Sequence, residues 1–259
     1  MRLLRGDGPV LRVGHRGAAA LAPENTLRAF EAAVAAGVDA IEFDVLDLPR
    51  GPLVLAHSDD LREVSHGAAA GLVRGHTLDE LREVAPELPT LDEALEWLAG
   101  RDVLVHVDLK LERRLDELVA AVRRFGLEER TVVSGFHVPS LRAIAVLSPE
   151  IVVGRTYPED RYGVSRRRAL RPVIRAGTAA LRRSLARRVP EMLEGAGAAA
   201  LMLHHAVVSA GAVERAHARG AAVWAWTVDD PVEAERVVRA GVDAIITNDP
   251  ALLAATLTA

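Results

Sequence analysis

Two carboxylates stand two residues apart in an apolar run: Glu42 and Asp44 alternate with Ile41, Phe43 and Val45. Successive strand side chains take opposite faces, so both acids project to one side. Acids sharing a face repel each other unless a cation, a basic group or deep solvent relieves them. A hard divalent cation bound through oxygen, Mg²⁺ or Ca²⁺, is the leading explanation. The same spacing recurs in Asp108 and Lys110, so Asp108 can join Glu42 and Asp44 as a third metal ligand from another strand; the alternative is a salt-bridged cluster with Lys110 and Arg16. Two histidines, His15 and His57, end apolar segments on either side of the acid pair, where one can take a proton while the other gives one. Lys110 is the only lysine among 32 basic residues, which marks it as a candidate for a position where a guanidinium does not fit.

These residues need short strands that converge. From Leu11 the chain alternates apolar runs with helical patterns, giving expected strands ending at His15 and over residues 40–48, 103–110, 131–136, 151–155, 199–203, 222–227 and 244–247. Helices are expected over 26–36, to Leu98 from the Thr90–Glu93 capping box, over 115–125, 139–147, within the arginine-rich stretch 166–193, over 210–218 and 232–240, with a last one opening at Pro250. Asn25 is the expected cap of the first helix, and Glu24, for which metal or a nearby water is the alternative partner, is read as a contributor to that cap. Residues 53–57 form an extended return, and 58–89 an insertion with a short helix behind the Thr77–Glu80 capping box. Eight strand-helix units predict a TIM (β/α)8 barrel, one domain over residues 1–259, with a short insertion after strand two. The segment from Ala35 to Ile41 is echoed by Arg239 to Ile245, a glycine-terminated helix followed at once by a strand. A doubly wound sheet is the runner-up, but no G-x-G-x-x-G follows any strand.

His15-Arg16-Gly17, the turn Pro23-Glu24-Asn25-Thr26, the Glu42 and Asp44 pair and His57 resemble the glycerophosphodiester phosphodiesterase family. The likeness continues through Val107 to Lys110, Val223 to Asp230 and Gly241 to Pro250, so it covers nearly the whole chain. The resemblance implies a metal-dependent enzyme releasing glycerol 3-phosphate and an alcohol from glycerophosphodiesters. It assigns acid/base work to His15 and His57, places the divalent cation on the acid positions, and puts Trp226 on the pocket wall, while Trp224 is read as core. Arg16, with its planar fork, and Lys110 are expected to meet the phosphate. The family commonly has glutamate where Asp108 stands, and aspartate directly after the second histidine. Here Ser58 intervenes, so Asp59 or Asp60 would have to reach back to orient His57. A lysophospholipase D acting on lysolipids and a catalytically silent binding barrel are the alternatives.

Half of the residues are hydrophobic, enough for a full core, and there is no cysteine, which excludes disulfides and thiolate chemistry. Asp7, Gly8 and Pro9 interrupt the N-terminal apolar run, so neither a signal peptide nor a span is expected and the location is read as cytoplasmic. A net charge of −4 gives no push toward nucleic acid, and none is expected as a partner. Between Arg161 and Pro190 there are ten arginines and no acid. A solvated helix face is the favoured explanation, with weak contact of Arg161–Arg188 to an anionic membrane surface as the alternative. Oligomeric state is not legible.

Overall fold

The computed structural model describes residues 3–159 and 171–251. Eight parallel strands close a barrel: β1 (Leu11–Gly14), β2 (Ala40–Asp47), β4 (Leu104–Leu109), β5 (Thr131–Gly135), β6 (Val152–Tyr157), β7 (Ala200–His204), β8 (Ala222–Trp226) and β9 (Ala244–Thr247). Closure comes from β1, which pairs in parallel with β2 on one side and β9 on the other. The return segment is β3 (Leu53–Leu55), antiparallel to the outer end of β2. Helices α1 (Leu27–Ala35), α4 (Leu91–Ala99), α5 (Leu115–Arg124), α6 (Val138–Leu147), α7 (Arg171–Ala196), α8 (Ala210–His217) and α9 (Pro231–Arg239) cover the outside. The helix expected from Pro250 and the arginines before residue 171 lie outside the described residues.

Alternation along the strands divides the apolar residues into two populations. Val13, Ala40, Val132, Ala200, Met202, Ala222, Trp224, Ala244 and Ile246 point inward and fill the barrel, while their neighbours pack under the helices. Size is matched across strands: a Cβ on Gly154 would meet the Met202 methyl at 2.6 Å, so the glycine admits the larger partner. The echoed segments behave alike, because Gly37 and Gly241 both take positive φ to end their helices. The aspartate two residues on then accepts a backbone N–H at the start of a neighbouring strand, Asp39 from Arg12 and Asp243 from Val223.

The insertion holds more structure than its one expected helix. It contains α2 (Leu61–Val64), a 3-10 turn over Val73–Gly75 and α3 (Leu78–Val84), and its Leu61, Val73, Leu81, Ala85 and Leu88 build a separate small core against Leu46, Leu48 and Val54. Both capping boxes form as expected, at Thr77 with Glu80 and at Thr90 with Glu93. The cap of α1 corrects the sequence reading. Thr26 accepts the Ala29 N–H, while Asn25 sits at φ 57° with its side chain turned to another partner.

Candidate active site

The C-terminal ends of the strands gather the expected residues at one mouth. Asp44 and Asp108 are register partners on adjacent strands. One carboxylate oxygen from each of Glu42, Asp44 and Asp108 lies within 4.8 Å of the others. Glu42 and Asp44 are buried and Asp108 is half-buried.

The loop after β1 is shaped to reach this cluster. Arg16 and Gly17 take consecutive left-handed conformations, and a Cβ on Gly17 would strike the Ala29 backbone at 2.6 Å, so the turn packs directly on α1. The Arg16 N–H donates to Glu42 Oε2 at 2.7 Å. Asn25, folded back by the proline turn, grips Asp44 twice: its Nδ2 donates to Oδ2 at 2.9 Å, and its Oδ1 accepts the Asp44 N–H at 3.1 Å. That grip is why Asn25 does not cap the helix. Glu24 is likewise not a cap, since it receives the Arg16 guanidinium at 2.8 Å.

The positive groups are unequally shared. Lys110 Nζ lies 3.0 Å from Asp44 and also donates to Asp108, and Arg16 Nε is 3.1 Å from Asp44 without hydrogen-bond alignment. Burial alone would raise the Asp44 carboxyl, but Lys110 and Arg16 hold it well below the usual carboxylate range. Burial likewise opposes the Lys110 charge, and Asp108 and Asp44 overcome it and push Lys110 up. Arg16 thus pairs with Glu42 only through its backbone. Among the described residues Glu42 has no Lys or Arg side chain at ion-pair distance, and burial together with Asp44 and Asp108 drives its carboxyl well above the usual range. The salt-bridged cluster is therefore real but incomplete. The three-oxygen donor set and the unneutralised Glu42 fit a hard divalent cation.

The histidines flank the acids. His15 Nε2 lies 4.0 Å from Glu42, and its Nδ1 faces Asn248 Oδ1 at 2.7 Å. Burial first and Arg16 second lower its basicity. His57 follows β3, and the expected reach of Asp59 or Asp60 is overturned: Asp59 accepts from the Arg74 N–H and Asp60 caps α2. Glu63, in the first turn of α2, meets His57 Nδ1 at 3.2 Å, and Ser58 Oγ donates to the same Glu63 oxygen at 2.6 Å. The serine that displaces the usual aspartate thus helps hold its substitute. A cavity of about 200 Å³ between α1 and the insertion is lined by Glu24, His57, Glu63 and Val64.

Across the mouth the wall is aromatic. Trp226 donates Nε1–H to the Met202 carbonyl at 2.9 Å, with Phe136 and His204 edge-on to its ring. Trp224, two residues earlier, is fully buried core. Sequence reasoning missed Glu63, Asn248 and Asp229. Asn248 and Asp229 belong to stretches that carried the resemblance; Glu63 lies in the insertion, ahead of the one helix expected there.

The chain matches the family model described as the glycerophosphoryl diester phosphodiesterase family over residues 15–252. It is 29 % identical over 259 residues to a glycerophosphodiester phosphodiesterase of Caldanaerobacter subterraneus subsp. tengcongensis, covering 94 % of this chain and 96 % of that one. A solved chain from Silicibacter pomeroyi superposes with a TM-score of 0.80 at 26 % identity, covering 99 % of this chain and 96 % of its own. An Oleispira antarctica phosphodiesterase, solved in complex with the product sn-glycerol-3-phosphate, shares the fold with a TM-score of 0.74 at 24 % identity over 97 % and 98 % of the two chains.

Proposed function

The chain belongs to the glycerophosphoryl diester phosphodiesterase family and is a phosphodiesterase, and from that premise we propose that it releases glycerol 3-phosphate and an alcohol by acid/base catalysis beside a divalent cation. The observation that carries this reading is the convergence of a three-carboxylate cluster with two imidazoles, each held through Nδ1 so that Nε2 is left for chemistry. Glu42, Asp44 and Asp108 would hold Mg²⁺ or Ca²⁺, which when bound supplies positive charge to the phosphate.

The residues divide the work by their partners. His15 rests on a neutral amide oxygen, which supports a neutral imidazole, so its Nε2 accepts the proton of the attacking hydroxyl. His57 rests on the Glu63 carboxylate, which supplies the negative charge an imidazolium needs, so its Nε2 gives a proton to the leaving oxygen. Lys110 spends two N–H groups on Asp44 and Asp108 and keeps one for a phosphate oxygen, and Arg16 Nη2 is available in the same way. Trp226 forms the wall against which the substrate is oriented. The protein in Mg²⁺ should release glycerol 3-phosphate from a water-soluble glycerophosphodiester and stop on chelation. Turnover of lysolipids alone would replace the substrate class, and full activity of rigorously metal-free protein would remove the cation from the site.

A further inference from the structure

The hydrogen bonds behind His15 form a chain that ends on Asp229, in the loop between β8 and α9. Asp229 Oδ2 accepts Asn248 Nδ2–H at 2.7 Å; its Oδ1 accepts the Asn248 backbone N–H at 2.8 Å and the Thr247 hydroxyl at 3.1 Å. An ionised carboxylate can only accept, so the Asn248 group facing it must be the NH₂. The amide oxygen is then the atom left for His15, at 2.7 Å, and an oxygen that can only accept requires the proton on His15 Nδ1. Nε2, the nitrogen on the Glu42 side, is thereby the bare one. We propose that Asp229 is a positioning residue that sets the tautomer of His15 through the orientation of Asn248, so that Nε2 is ready to accept a proton.

This rests on the reading of His15 as the base. The arrangement makes a specific demand on substitution. In Asp229→Asn an NH₂ faces the NH₂ of Asn248; the clash is relieved when the Asn248 amide turns over, which presents its NH₂ to His15 Nδ1 and moves the ring proton to Nε2. Exchanging the two residues, Asp229→Asn with Asn248→Asp, restores every donor-acceptor pair. The carboxylate placed at position 248 would accept from His15 Nδ1–H and from the amide NH₂ placed at position 229. The oxygen of that amide would in turn accept the backbone N–H of residue 248 and the Thr247 hydroxyl.

The experiment reads the ring by ¹⁵N-edited NMR and the rate in parallel, in Mg²⁺, with His15→Ala used to assign the His15 signals. The wild type is expected to show a protonated Nδ1 and a bare Nε2, D229N the inverse, and the exchanged double variant a protonated Nδ1, with Nε2 bare at a pH high enough to deprotonate a carboxylate-paired imidazole. D229N should lose roughly 10²-fold or more in kcat with KM changed only a few-fold, the size of a lost general base, and the double variant should recover most of it at that higher pH. A wild-type ring protonated at Nε2 would overturn the proposal without any variant having to fold, as would D229N with an unchanged ring, or a well-folded double variant whose Nδ1 stays bare. A fully active H15A would instead remove His15 from the reaction, and the ring signals would still decide whether Asp229 sets its tautomer.

Discussion

Lys110 sits between two carboxylates, Asp44 and Asp108, and is the one lysine of an arginine-rich chain. Its ammonium fits between Asp44 and Asp108 as a compact charge, with a side chain only 16 % exposed. A guanidinium is longer and planar, and would have to pair with one carboxylate at the expense of the other or of the phosphate. K110R is therefore expected to lower turnover nearly as much as K110M. The two should differ in stability, since K110M leaves buried carboxylates short of a cation, a change of about 3–5 kcal/mol when a buried pair is broken. Turnover and thermal unfolding of both variants check this; a fully active K110R would make the lysine incidental. Glu42 poses the opposite problem, a buried acid with no Lys or Arg side chain at ion-pair distance among the described residues. Replacing it by glutamine removes a repulsion in the metal-free protein and, on the proposed reading, a ligand in the loaded one. E42Q should melt higher than wild type in chelator and gain less from added Mg²⁺, because stabilisation by a ligand follows its affinity for the folded state. An unchanged Mg²⁺-dependent shift would take Glu42 out of the ligand set.

The insertion acts as the holder of His57. β3 brings the histidine to the mouth, but the carboxylate that orients it comes from α2, whose place depends on a small core around Leu81. Leu81 is fully buried, and a Leu→Ala change at such a site typically costs about 2–5 kcal/mol. A core this small can open without the barrel. L81A should therefore slow turnover while the barrel's own unfolding transition stays in place, with faster hydrogen exchange confined to residues 61–84. E63A should slow turnover by roughly 10²-fold with that segment intact, and E63Q less, because an amide oxygen can still accept from Nδ1. Full activity of E63A would mean that His57 needs no orienting partner. The sequence made the barrel and the acid pair legible because both follow strand alternation. It put the cap at Asn25 instead of Thr26, since both are good capping types and the choice is made by Asp44, a tertiary partner. Asn248 was hidden for the same reason, and Glu63, close to His57 in sequence, because α2 was not expected. Each meets its histidine through a fold-dependent approach, across 233 residues in the case of His15 and Asn248.

At the scale of the molecule the remaining question is what the arginines of α7 face. Leu185, Val189 and Leu193 lie at intervals of four and are buried, so the helix turns one stripe to the barrel. Arg188 bonds the Tyr157 hydroxyl at 2.8 Å, whereas Arg182, Arg183 and Arg187 are exposed and carry no ion pair among the described residues. No helix among the described residues is long and apolar enough to cross a membrane, and the exposed arginines of this face offer an anionic surface an electrostatic contact. A basic side chain near an anionic surface contributes about 1 kcal/mol. Three of them amount to an affinity weaker than roughly millimolar, and the overall charge of −4 works against them. Binding to vesicles rich in anionic lipid is accordingly expected only at low ionic strength and should vanish near 0.15 M salt, where the screening length is about 8 Å. The variant R182Q/R183Q/R187Q should lose the low-salt binding and keep full turnover of a soluble diester, because these residues are exposed on an outer helix and no hydrogen bond or ion pair joins them to the site among the described residues. Co-sedimentation at two salt concentrations decides between the two faces. Binding that persists near 0.15 M would show that α7, with the arginines preceding it, is a membrane-contacting surface and not a solvated one.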